Sequence, residues 1–146
     1  METRASGGFA RYRRRVITLA DVQRLAAELP EVVEGERHGG RTWSVAGKGF
    51  AWERSFSKAD IRRFGADPVP PDPIVAVRGG DLAEKDATLA AHPDAFFTIP
   101  HFDGFAAVLV RLDRAGEGEV REALEDGWLA VAPGQLVAEY LEQRPG

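Results

Sequence analysis

Apolar residues recur at three- and four-residue steps at the start of the chain. Leu19, Val22, Leu25, Ala26 and Leu29 share one side of a helix over Thr18 to Leu29. Thr18 with Asp21 three residues on supplies a capping pair, and Pro30 ends the helix. Further along the period shortens. Arg41 to Arg54 reads as a β-hairpin with Gly47-Lys48 as a two-residue type II′ turn. That register sets Trp43 against Trp52 and Val45 against Phe50, all four on one face, as cross-strand aromatic pairs favour.

Pro68, Pro70, Pro71 and Pro73 remove backbone donors, so Ser57 to Pro73 reads as a short helical turn at Lys58 to Phe64 followed by a loop. Ile74 to Val77 is a short strand. Gly79-Gly80 then turns into a helix capped by Asp81 with Glu84, running to about Ala91. Strands at Phe96 to Ile99 and Phe105 to Leu112 flank the turn-forming knot Pro100-His101-Phe102-Asp103-Gly104. Helices at Glu117 to Glu125 and Gln135 to Glu142 close the chain, the second with Leu136, Val137, Tyr140 and Leu141 on one side. A helix, then mostly strands, then helices is an α+β order. It predicts a single α+β domain. Its 146 residues suit one core, with residues 1–16 as an Arg-rich flexible tail and 17–143 as the domain.

Composition narrows the class. With 44% hydrophobic and 29% charged residues the chain reads as a soluble globular protein. No apolar run approaches the roughly 20 residues that a membrane span needs, so no membrane association is expected. The absence of cysteine excludes disulfides, thiolate metal sites and thiol nucleophiles, and makes a cytoplasmic location the expectation. Charge is unevenly spread: residues 1–18 hold five arginines against one glutamate, and residues 37–63 hold seven bases against two acids. From Asp113 onward eight acids face three bases. The chain is basic early and acidic late, which makes local charge a better guide to partners than the net −4.

Catalytic signatures are missing. His38, His92 and His101 have no HxxH or HExxH spacing, and the serines sit in no G-x-S-x-G context, so neither a metal nor any other cofactor is expected. Gly47-Lys48-Gly49 lacks the remainder of a phosphate-binding loop and reads as a hairpin turn. Glu117, Glu119, Glu122, Glu125 and Asp126 read as a solvated helix face. Two constellations remain. Arg41, Lys48 and Arg54 lie on or beside the hairpin, with Arg37, Lys58, Arg62 and Arg63 flanking it: a positive wing able to neutralise phosphates, or a charged strand edge that resists pairing. The knot at Pro100 to Gly104 reads as a corner of the sheet, or as a loop where His101, Phe102 and Asp103, with Trp128 nearby, line a binding surface.

Four stretches carry a resemblance: Leu25-Ala-Ala-Glu-Leu-Pro30, the hairpin Trp43 to Trp52, the run His92 to His101 with Gly104 and Val108 to Asp113, and the ending Glu122 to Pro133. In order and spacing, from Ile17 to Tyr140, they are similar to the MmcQ/YjbR family. The resemblance implies a compact α+β, CyaY-like domain whose antiparallel sheet packs against helices, and binding to DNA through a double-wing arrangement; it supplies no catalytic residues. The expectation is therefore a non-enzymatic protein that contacts the phosphates of double-stranded DNA through Arg41, Lys48, Arg54, Arg62 and Arg63. The alternative is a protein-interaction or small-ligand module built on His101, Phe102, Asp103 and Trp128.

Overall fold

The structure, a computed structural model, describes residues 16–144. The expected Arg-rich tail lies outside the described residues, apart from Val16. Helix α1 (Leu19–Ala26) leads into strands β1 (Val33–Arg37), β2 (Gly40–Val45) and β3 (Lys48–Glu53), then helix α2 (Lys58–Phe64), β4 (Ile74–Arg78) and α3 (Leu82–Ala91). Strand β5 (Phe96–Phe97), a 3₁₀ turn at Pro100–Phe102, β6 (Ala107–Arg111), α4 (Glu117–Val131) and α5 (Gly134–Gln143) follow. The strands form one sheet in the order β1-β2-β3-β4-β6-β5 with every neighbouring pair antiparallel. This is the α+β architecture that the order of the elements predicts.

The helix starts follow local chemistry. The Thr18 hydroxyl accepts from the Asp21 N–H at 3.2 Å while the Asp21 carboxylate takes the Thr18 N–H at 2.8 Å. Ser57 and Asp60 repeat the same reciprocal box at α2. Each box satisfies backbone donors that a helix start leaves unpaired.

The central strands are buried on both faces, which explains their unbroken apolar runs Ile74 to Val77 and Ala107 to Val110. Val75, Val77, Val108 and Val110 join Val22, Leu25, Trp43, Phe50, Leu124 and Trp128 in the larger core, under α1 and α4. Ile74, Ala76 and Leu109 point the other way, into a smaller core with Ile99, Phe102, Trp52, Phe56 and Phe64.

Several expectations need correction. The β2–β3 loop is Ala46-Gly47, with φ of 51° and 79°, so the turn has the two left-handed residues of type I′ and Lys48 begins β3. Thr42 faces Trp52 and Trp43 faces Ala51, but Ser44 faces Gly49, leaving Phe50 as an extra residue on β3. The bulge lets Phe50 and Ala51 both enter the larger core and sends Trp52 to the opposite face from Trp43. Strand β1 was not expected at all: Val33-Glu-Gly-Glu-Arg37 is exposed along its whole length and carries no alternation. Its hairpin with β2 turns at His38-Gly39, again with two positive φ values of 53° and 80°. Finally, β5 and β6 are shorter than expected, and α4 continues past Glu125 to Val131. Gly127 makes that extension possible: a Cβ there would lie 3.0 Å from Val77 Cγ1 and 3.1 Å from the carbonyl oxygens of Arg78 and Phe50. The helix backbone rests directly on β3 and β4.

Candidate nucleic-acid interface

The face of the sheet away from α1 and α4 is covered only in part. Beside the smaller core it opens into a cleft of about 610 Å³ walled by the β1–β2 turn, the end of β3, Arg78 and His101. Arg37, His38, Arg54, Arg78 and His101 line it, with Trp52 among them and Glu53 as the acid.

Two of the arginines are positioned by neighbours, and the third is exposed. Arg37 ends β1 opposite Gly40, and its Nη1 lies 3.8 Å from where a Cβ on Gly49 would stand. Arg54 pairs with Asp60 at 3.0 Å, the two side chains being 18% and 3% exposed, and its guanidinium stands 5.7 Å from the centre of the Phe102 ring. Burial raises the Asp60 carboxyl, but hydrogen bonds from Ser57 and the Arg54 charge outweigh it and hold the group below its ordinary range. Arg78 lies over the Phe105 ring at 5.4 Å. Trp52 completes the aromatic group, 6.5 Å from Phe102 in a stacked arrangement and 6.2 Å from Phe105. The loop that holds these rings is tied from below: the buried Lys85 ammonium donates to the carbonyls of Phe102 at 2.7 Å and Phe105 at 2.8 Å. An ammonium with carbonyl acceptors satisfies its burial without a carboxylate and fixes the loop that carries the platform.

The expected wing residues divide. Arg54 enters the cleft but is held by Asp60. Arg41 alternates with Gly40 and Thr42, which line the cleft, so it lies toward the other face; its N–H donates to Glu53 at 3.2 Å. Lys48 is exposed beside the hairpin turn, and Arg62 and Arg63 are exposed on α2, with Arg63 4.0 Å from Asp60. The cleft adds Arg78, which ends an apolar strand and carried no local signal, and Arg37, which had counted only as a flanking charge.

The expected pocket of His101, Phe102, Asp103 and Trp128 does not form. His101 reaches the cleft and Asp103 is exposed, but Phe102 is buried in the smaller core. Trp128 is on the far side of the sheet at 0% exposure, its Nε1 donating to Pro30 O at 3.0 Å and its ring 4.9 Å from Tyr140. A helix longer than expected carries Trp128 into the larger core.

The acidic face of α4 is also more than a solvated surface. Glu117 pairs with Arg24 at 3.1 Å, Glu119 with His92 at 3.0 Å and Glu125 with Arg144 at 3.0 Å, while Tyr140 donates to Glu125. Asp126 lines a second cavity of about 200 Å³ between α3 and α4. Burial, then the charges of Glu84, Glu122 and Glu125, push its carboxyl up to about 6, against a smaller opposing pull from Arg144. Among the described residues, no three His, Asp or Glu converge as a metal ion would require. Nor is any described helix long and apolar enough to cross a membrane.

A family model, YjbR, matches residues 27–130, a span that contains the whole cleft. The chain belongs to the YjbR family. Two relatives are uncharacterized proteins of Mycobacterium tuberculosis and Mycobacterium bovis, each 41% identical over 127 residues, covering 85% of this chain and 95% of the relative. The fold is similar to the crystal structure of a Deinococcus radiodurans protein with the family-model domain DUF419. The TM-score is 0.57 at 20% identity, covering 87% of this chain and 88% of that one. YjbR membership and the shared fold thus rest on matches that include both faces of the sheet.

Proposed function

We propose that this YjbR-family protein binds double-stranded DNA, without catalysing a reaction on it, through the basic face of the sheet. The observation that carries the reading is the convergence of Arg37, His38, Arg54, Arg78 and His101 on one cleft with a single acid, Glu53. Arginine forks match phosphate oxygens, and each phosphate neutralised releases condensed counterions, so affinity on such a face falls steeply with salt. Arg37 and Arg78 are the principal phosphate contacts. Arg62 and Arg63 extend the surface along α2, and Lys48 adds charge at the hairpin, whereas Arg41, turned toward the other face, is left out of the contact. Arg54 orients the aromatic group as much as it meets a ligand, because Asp60 already holds it.

The test is fluorescence anisotropy of a labelled mixed-sequence duplex at low and near-physiological salt. Binding that is micromolar or tighter at low salt, weakens steeply as salt rises, and loses part of that slope in Arg37→Gln with Arg78→Gln supports the reading. Absence of binding at low salt ends it. Equal binding by Arg37→Gln with Arg78→Gln moves the contact off the cleft.

A further inference from the structure

Phosphate contacts along a duplex need exposed charge; they do not need a concavity. The cleft is nevertheless a concavity of about 610 Å³, within the size range of sites that enclose small molecules. It is also the place where one tryptophan comes near solvent. Trp43 and Trp128 are 1% and 0% exposed, whereas Trp52 is half-buried, with Phe102 and Phe105 packed around its ring. Among the described residues no carboxylate pairs with Arg37 or Arg78. Arg78 is partly set in place before any ligand arrives, over the Phe105 ring, while Arg37 is exposed at the end of a paired strand beside Gly49. Gly49 itself keeps the floor open, since a Cβ there would stand 3.3 Å from Thr42 Cγ2 and 3.8 Å from Arg37.

We propose that the cleft is a nucleotide pocket, in which an unpaired base stacks on Trp52 and its phosphate is held by Arg37 and Arg78. An aromatic face tolerates any base, and guanidinium forks supply the phosphate recognition. Because Arg78 already lies over the Phe105 ring, it loses little side-chain freedom on binding. The ligand chemistry is a nucleobase carrying a phosphate, from either a free nucleoside monophosphate or a nucleotide exposed in a single strand. The inference shares its arginines with the duplex reading but does not depend on it, since it requires Trp52 and the open floor above Gly49.

The experiment is quenching of tryptophan emission by AMP and, separately, by a short single-stranded oligo(dA), which reports on Trp52 because the other two tryptophans are buried. Saturable quenching by AMP, with adenosine and inorganic phosphate each at least tenfold weaker, assigns free nucleotides to the pocket. Quenching by oligo(dA) without AMP assigns a nucleotide within a strand. Gly49→Val, which fills the floor, and Arg78→Gln, which removes a phosphate contact without adding bulk, are each expected to weaken the effective ligand at least tenfold with an unchanged circular dichroism spectrum. Quenching by neither ligand, or quenching that both variants leave unchanged, overturns the pocket. Duplex anisotropy on Gly49→Val separates the two readings. Duplex binding that survives while nucleotide quenching is lost supports both, and nucleotide quenching without duplex binding removes the duplex reading alone.

Discussion

The two faces of one sheet are finished by different physics. Under α1 and α4, Trp43, Phe50, Val77, Leu124 and Trp128 exclude water, and Gly127 lets helix backbone touch strand backbone. On the other face the covering stops at Phe102 and Phe105, and arginines lie on the aromatic rings. Their carboxylates differ in the same sense. Asp60 has an arginine and a capping box, so its charged form is stabilised; Asp126 sits among Glu84, Glu122 and Glu125, so its charged form is opposed. One face is built for burial, while the other holds charge in fixed positions beside solvent.

The sharpest way to break this contrast is to damage the burial face. Trp128→Ala removes a fully buried ring and its hydrogen bond to Pro30, and should cost about 3–5 kcal/mol in urea unfolding. A loss below about 1 kcal/mol would mean that the larger core does not dominate stability. Gly127→Ala should cost about 1–3 kcal/mol, because the atoms it meets are mainly backbone and cannot rotate away. Lys85→Met probes the opposite face: leaving the Phe102 and Phe105 carbonyls unpaired should cost about 1–3 kcal/mol. Unlike Gly127→Ala, it should also loosen the platform and red-shift the emission of Trp52.

The carboxylates give the contrast a pH signature. Asp126 holds its proton more tightly when folded, about 6 against an ordinary 3.8, so it adds stability as pH falls through 6 toward 4 and withdraws it as pH rises. After allowance for solvent screening the change is on the order of 1 kcal/mol. Asp60 and Asp113 are depressed, Asp113 chiefly by its hydrogen bond from Arg111. Their contribution is present above about pH 4 and is lost below it. Melting temperature should therefore rise from pH 7.5 to about 5, and Asp126→Asn should flatten that rise while leaving the acid limb intact. The smallest effect belongs to Lys48→Glu, which should change stability by less than about 0.5 kcal/mol. A larger loss would show that the exposed hairpin edge contributes to the fold.

Much of the scaffold was legible along the chain because it depends on neighbours in sequence. Thr18 with Asp21 and Asp81 with Glu84 mark helix starts through contacts three residues apart. Both central strands announced themselves as apolar runs. The failures have equally physical causes. Strand β1 buries nothing and is held by backbone pairing to β2, so no hydrophobic period marks it. The Gly47-Lys48 register that set Trp52 against Trp43 fails twice, because the turn sits one residue earlier and the bulge adds Phe50 to the strand. Helix α4 runs past its expected end at Glu125 through Gly127, a weak helix former whose close approach to β3 and β4 becomes visible only in three dimensions.

The sequence by itself determined the fold class, the family, the sites of most helices and central strands, and the concentration of positive charge early in the chain. Those properties come from composition and from interactions a few residues apart. Only the tertiary structure decided which charges work together. Arg37, Arg78 and His101 line one cleft, Arg54 is claimed by Asp60, and Trp128 is carried to the opposite core. A cleft is a property of surfaces brought together from distant parts of the chain, and strand pairing, a one-residue bulge and a buried lysine set that arrangement.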